Sequence, residues 1–317
     1  MKTHQLSFAA ICLVVLILTG CQKANTNTTH ADPNAQQHNE DVSNTKSESD
    51  NLNTDINNVL REVRGFGKKE GGEAISICGA TIDSSQQFAS TPTVIINFDG
   101  HTSCGNPARI RGGQIKVELI QGNKWSDAGA VLRVTHIDYK VTYVNLNNHY
   151  LTFNGIKYLT NVDGFNYVNY YFTGGLTTHI RERSNNMTVT FENGQTESWN
   201  CARLSTYAVT GYTTITVTVN GDSTSNGKVI DSWGTTRFGT NFTTEMITPW
   251  QSGTTCGWWR PTQGKYTSTT DNFTITATAG VNQNGTPVNS GCGAYGYKLE
   301  WDYQQGTASG TAVIQYF

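Results

Sequence analysis

A chain of 317 residues with a formal charge of −2 and a pI near 6.4 is long enough for one large or two modest domains. It has no basic field of the kind nucleic acid requires. Charged residues make up only 15% of it. Thr, Asn, Gly and Tyr are abundant instead, a composition typical of extracytoplasmic β-proteins, in which Thr and Tyr suit strands and Asn-Gly suits turns.

The first element is a signal. Lys2 supplies a positive start, and Leu6 to Leu18 is apolar and uncharged. The run is shorter than the roughly 20 residues a membrane-spanning helix needs and fits a secretory signal peptide over residues 1–20. It ends in Leu18-Thr19-Gly20-Cys21, which reads as a bacterial lipobox. Thr19 and Gly20 are small enough for a peptidase groove, and the Cys21 thiol is the nucleophile that accepts a diacylglycerol. The expected mature chain therefore begins at Cys21 and is held to a lipid bilayer by acyl chains, each buried CH₂ adding ~0.8 kcal/mol. It has crossed the inner membrane, so disulfides are permitted. Gln22 and Lys23 follow the cysteine, with no aspartate directly after it. The expected address is the cell envelope, lipid-anchored at the outer membrane, on its periplasmic or cell-surface face.

Residues 21–54 have almost no large apolar side chains. Such a stretch cannot bury enough apolar surface to offset its ordering entropy, so a disordered tether is expected, spanning ~30 Å r.m.s.. His30 and His38 fall here and read as isolated, solvated histidines. Residues 55–73 read as a short helix and a Gly-rich link. Ile56, Val59, Leu60 and Val63 have helical spacing within Asn53 to Arg64, and Gly65, Gly67, Gly71 and Gly72 follow.

From residue 74 to 317 the period changes to two. Val94 to Phe98 is a strand, and Gln114 to Leu119 alternates polar with apolar residues. Val131 to Val144 forms one long strand or two with a kink. Asn154-Gly155 and Asn193-Gly194 each separate two strand-like runs and predict hairpins, since type I′ turns need φ > 0 at both central positions. Asn220-Gly221, Asn226-Gly227 and Asn284-Gly285 mark further turns. The expected fold is all-β, a large antiparallel meander that forms a sandwich, an open barrel or one long curled sheet. Tyr316-Phe317 ends the chain and reads as part of a buried terminal strand rather than a lipid-facing one.

Cys12 leaves with the signal and Cys21 carries lipid, so five cysteines remain. Cys78 and Cys104 flank one strand-containing stretch and Cys256 and Cys292 another. Both are candidate disulfides, each worth ~3–4 kcal/mol in the chain-entropy model. Cys201 is left unpaired. Its neighbours Asn200, Ala202 and Arg203 include no base, so it reads as a buried inert thiol. No Cys-x-x-Cys pair exists, so no structural zinc is expected.

Ile95-Ile96-Asn97-Phe98-Asp99-Gly100, Cys104 and Arg109-Ile110-Arg111-Gly112-Gly113-Gln114-Ile115-Lys116-Val117 together resemble a passage of uncharacterised all-β lipoproteins of the Bacteroidota. Trp199-Asn200 after a hairpin and Cys256-Gly257-Trp258 are similar to two further marks of that group. A third, an acidic Gly-Thr-Cys segment, is matched by Asp302 to Ala308 without its acidic residue and cysteine. The resemblance covers about residues 78–317 and implies an all-β lipoprotein, a location and a fold rather than a mechanism.

Asp99, Asp127, Asp138, Asp163, Glu182, Glu192, Glu197, Asp271 and Glu300 are scattered, with no spacing that forces a catalytic pair. His101, His136, His149 and His179 show no metal-ligand spacing, and no cofactor is expected. The aromatics are the best lead. Trp258 and Trp259 are adjacent, so in a strand they would point to opposite faces, and Trp250 is nearby. Exposed aromatics stack on sugar rings or anchor protein partners. The expected function is a non-enzymatic binding or surface-interaction module for a glycan or an envelope protein. The alternatives are a glycan-active hydrolase on a β scaffold and a structural envelope protein.

Overall fold

The computed structural model describes residues 33–66, 76–105, 108–144, 149–164, 175–211, 214–257, 260–288, 291–303 and 309–316. Cys21, the signal and residues 22–32 lie outside them. One α-helix, α1 (Pro33–Leu60), precedes a 3-10 turn at Arg64–Phe66. The strands that follow are β1 (Ala80–Asp83), β2 (Thr93–Cys104), β3 (Arg109–Gln121), β4 (Ala130–Tyr143), β5 (His149–Asn161), β6 (Gly175–Phe191), β7 (Thr196–Thr210) and β8 (Thr214–Gly221). They continue with β9 (Ser223–Ser225), β10 (Lys228–Thr235), β11 (Asn241–Gly253), β12 (Gln263–Thr270), β13 (Phe273–Val281), β14 (Gly296–Tyr303) and β15 (Ser309–Gln315).

All fifteen strands among the described residues belong to one sheet, antiparallel throughout, in the order β1 to β7, then β10 to β15. β8 bridges β7 and β11 beyond the end of β10, and β9 pairs with β10. Of the three architectures open to the sequence, this is the single long sheet rather than a two-sheet sandwich. Its curl follows from α1. Side chains of that one helix reach Arg109 and Arg111 on β3 and successive strands as far as Tyr266 on β12 and Phe273 on β13. A flat array of so many strands at about 4.8 Å spacing would be several times wider than a helix about 10 Å across, so the sheet has to wrap around it.

The helix corrects the expected tether. Residues 33–54 are not coil: they form most of α1, and the short helix expected from Asn53 to Arg64 is only its last part. Every residue from Gln37 to Leu60 is buried or half-buried. His38 is correspondingly enclosed, not solvated. One stripe explains the docking. Ala35, His38, Val42, Thr45, Ser49, Leu52, Ile56, Val59 and Val63 follow at alternating steps of three and four, and all are buried. Intrinsic propensity does not favour this helix, which is rich in Asn, Ser, Thr and Asp. Its order comes from the wall around it.

The inner face of the sheet carries Val94, Ile96, Ile115, Val117, Leu132 and Val134 among its buried side chains. The curl is concentrated by bulges. Register shifts fall at Asp99/Ser103 on β2, His136/Tyr139 on β4 and Ser184/Met187 on β6, opposite Gly112–Gln114 and Asn154–Lys157 on the strands between. Asp138 and Asn186 have positive φ there. A Cβ on Gly113 would lie 2.0 Å from the Asp138 carbonyl oxygen, so only glycine admits this approach. Bulges bend a strand and raise its twist. Asn154-Gly155 accordingly is no hairpin: it lies inside the continuous strand β5, where Asn154 Nδ2 donates to Asp138 Oδ1 at 3.0 Å. Asn193-Gly194 and Asn226-Gly227 do turn the chain, between β6 and β7 and between β9 and β10. The kink in Val131 to Val144 is the bulge in β4.

Two disulfides close, Cys78–Cys104 and Cys256–Cys292, leaving Cys201 free and buried. No helix among the described residues is long and apolar enough to cross a membrane.

Candidate binding cavity

The helix is held on most sides by charge. Its first half meets the late strands. Asp41 accepts two bonds from Arg237, at 2.6 and 2.7 Å, and Lys46 Nζ lies 2.7 Å from Asp231 and over the Tyr266 ring. His38 Nε2 bonds Ser268 Oγ at 2.9 Å and packs on Phe242 and Phe273. Burial, with Lys46 nearby, lowers the His38 pKa to about 3, so the ring is neutral. The second half meets the early strands. Arg109 donates to Glu48 at 2.7 Å, Arg111 pairs with Asp55, and Trp125 Nε1 donates to Asn57 at 2.7 Å. Ser49 Oγ donates to Glu182 at 2.6 Å and Asn53 Nδ2 at 3.1 Å. Lys157 Nζ donates to Ser49 Oγ at 2.8 Å and lies 3.3 Å from Glu182. Burial would raise the Glu182 carboxyl, but Lys157 and Arg203 outweigh it and hold it at about 2.

One face of the helix has no charged partners. Ser43, Asn44, Ser47, Asn51 and Thr54 share it and are half-buried; Ser43 bonds Tyr297 and Thr54 Oγ1 donates to the Asp50 carbonyl at 3.1 Å. They border a cavity of about 110 Å³. Asn44, Ser47 and Asn51 make no side-chain hydrogen bond among the described residues. Across the cavity stand Tyr207 on β7, Trp250 on β11, Tyr266 on β12, Tyr297 on β14 and Tyr316 just past β15. Their placement follows from local contacts. Gly264 has φ +144°, and a Cβ there would lie 2.6 Å from the Trp250 ring, so the missing side chain lets the indole settle on β12. Trp250 then packs at 5.6 Å from Tyr266, centroid to centroid. Tyr316 Oη accepts from Gly280 N and donates to the Pro261 carbonyl, both at 2.8 Å, which fixes the chain end beside the cavity. Ser205, 5% exposed, also lines it and has no side-chain partner among the described residues.

The charged groups at the cavity are matched. Arg109 pairs with Glu48, Arg203 with Asp50 at 2.9 Å, and Lys46 with Asp231 behind the wall. Glu48 also accepts from Tyr143 Oη at 3.1 Å. On the other side of Glu48 is a second cavity of about 10 Å³, with Ser49, His136 and Trp199 in its wall, on the scale of one water molecule.

Of the aromatics singled out in the sequence, Trp250 is at the cavity, half-buried. Trp258 and Trp259 lie outside the described residues. The carboxylates singled out are dispersed. Asp99 and Asp127 cap turns by accepting backbone N–H groups, Asp163 pairs with His179, and Glu182 and Glu197 are buried inside the sheet. None borders the larger cavity. Its carboxylates, Glu48 and Asp50, come from the stretch assigned to the tether, and only the three-four stripe running back from Val63 could have exposed them. Cys201 shares hydrogen bonds with Ser184, and burial pushes its thiol up to about 12, which leaves no thiolate for chemistry. Among the described residues no group of three or more His, Cys, Asp or Glu side chains is placed to hold a metal ion.

No family model, no curated protein and no solved structure matches this chain.

Proposed function

We propose that this chain is an envelope lipoprotein, anchored through acylated Cys21, whose curled sheet is a non-enzymatic binding module for a glycan or another envelope component. The observation that carries the binding reading is the larger cavity: a solvent-reachable helix face of unpartnered Ser and Asn side chains set against tyrosines and Trp250. Such a surface offers hydrogen bonds and ring faces without the cost of breaking internal bonds. At the cavity Glu48 and Asp50 are both engaged by arginines, while burial raises the Asp50 carboxyl above its usual range, the trait of a glycosidase acid, so the hydrolase stands as the second reading. The lipobox Leu18 to Cys21 supports the anchor. The twelve residue steps from Cys21 to Pro33 can reach at most about 40 Å, so the module would stay close to its bilayer.

Two measurements test this. Expressed in a host with lipoprotein-processing enzymes, the full chain should take up an alkyne fatty acid and sediment with membranes, and Cys21→Ala should abolish both. Size-fractionated envelope extract, added to the full chain, should slow hydrogen exchange within residues 43–54 and shift Trp250 fluorescence. An unlabelled, soluble wild-type chain would sink the anchor, and an extract without effect on either readout would sink the binding module.

A further inference from the structure

Resting on the binding reading, we infer that the larger cavity takes a single neutral sugar ring. Three properties of the cavity converge on that class. The first is charge. Each cation at its wall already has its anion: Arg109 with Glu48, Arg203 with Asp50, Lys46 with Asp231. A charged ligand would have to break one of these pairs or sit in a half-enclosed space without a counter-charge, which is costly. A neutral ligand leaves them intact.

The second is hydrogen-bonding character. Asn44, Ser47 and Asn51 on the helix and buried Ser205 on β7 line the cavity without partners among the described residues. Hydroxyls and amides each donate and accept, so they suit a ligand whose own groups do both, as sugar hydroxyls do. A purely apolar guest would strand them by displacing the water they would otherwise bond. The third is shape. Opposite this face stand Tyr207, Trp250 and Tyr297, and aromatic side chains are the apolar surfaces on which the C–H face of a pyranose packs. A volume of about 110 Å³ is below the roughly 150 Å³ that accommodates benzene in an engineered cavity, so the cavity admits one edge of a single pyranose, and the half-buried helix face leaves the rest of the ring and its outer hydroxyls in water.

The test is calorimetric titration of the full chain with neutral hexoses and N-acetylhexosamines, with the uronic acid and amino sugar of each, with phenol, and with trisaccharides ending in the same neutral rings. At least one neutral ring should bind ten-fold or more tightly than its charged counterparts and than phenol. It should slow hydrogen exchange within residues 43–54 in the unsubstituted protein. Ser47→Ala and Asn51→Ala remove no internal bond, so both fold, and each should weaken binding about five- to ten-fold, the loss of one hydrogen bond. Binding of the free ring assigns a free sugar, and binding of the trisaccharide alone assigns the end unit of a glycan; either supports the inference. Equal or tighter binding of charged sugars or phenol overturns it. If no sugar binds while envelope extract still protects residues 43–54, the ligand class is wrong and the binding module stands. If neither acts, both fall.

Discussion

The early arc of the sheet, β2 to β7, and the late arc, β10 to β15, wrap the same helix in different ways. The early strands run 12 to 17 residues and present branched aliphatics inward. Against them the helix is locked by the buried Lys157–Glu182–Arg203 cluster, by Ser49 and by Arg111–Asp55. From β12 to β15 the strands run 7 to 9 residues, and their inner face pairs large rings with small side chains, Tyr266 and Tyr297 beside Ala277 and Ala279. Rings and alanines leave gaps where valines and isoleucines interlock, and the larger cavity opens on that side. One arc ties the helix down, while the other leaves room beside it.

The sharpest way to break this contrast is in the early arc. Glu182→Leu strands the buried Lys157 and leaves buried Arg203 with Asp50 alone, and should cost about 3–5 kcal/mol in urea unfolding. The neighbouring strand supplies the opposite case. Both Glu197 oxygens are buried without a partner among the described residues, and burial with Asp41 nearby pushes this carboxyl well above the usual range. Glu197→Leu should therefore stabilise the protein by about 1–3 kcal/mol. A loss there would mean that this carboxyl is not carrying an uncompensated desolvation cost.

The two disulfides place one staple in each arc, across 26 and 36 residues. Removing either pair of cysteines should cost about 3–4 kcal/mol, and a much smaller loss at Cys256–Cys292 would mark the late arc as the looser of the two. Acid probes both arcs through histidine. His136 on β4 and His38 on the helix are held near 3, each by burial first and by a neighbouring lysine second. For a base with a folded pKa below its unfolded value near 6.5, the unfolded state takes up the proton first. Stability is therefore lost as pH falls from about 6.5 towards 3, by about 1.4 kcal/mol per pH unit for each ring. His38→Leu should remove one such slope from a urea series run across that window, and an unchanged slope would contradict a neutral, buried His38. The smallest contrast sits on the helix itself. Ser49→Ala, which removes a hydroxyl bonded to both Lys157 and Glu182, should cost about 1–3 kcal/mol. Ser47→Ala, facing the cavity, should stay within about 0.5 kcal/mol by thermal melting.

The sheet was legible because one face of each strand is buried and the other wet, which writes period two into the chain. Its bends were not. Asn154-Gly155 and Asn226-Gly227 advertise the same readiness for unusual backbone angles, and only the partner strand decides whether the result is a bulge in β5 or a turn between β9 and β10. The helix was legible only from Asn53 onward. Upstream, His38, Thr45 and Ser49 occupy stripe positions where apolar residues would have signalled burial, and the groups that bond His38 and Ser49 inside, Ser268, Lys157 and Glu182, lie 108 to 230 residues away. The cavity inherits that difficulty. Its aromatic wall was half visible in Trp250, but its polar wall looked like solvated linker.

That distance along the chain also sets the order of assembly. Asp41 must find Arg237 across 196 residues and His38 must find Ser268 across 230. Contacts of such span delay folding, because the loop they close has to be ordered before they return anything. The beginning of this helix docks only once nearly the whole chain is available to fold. In stopped-flow refolding, a probe near His38 should therefore report later than one at Trp125.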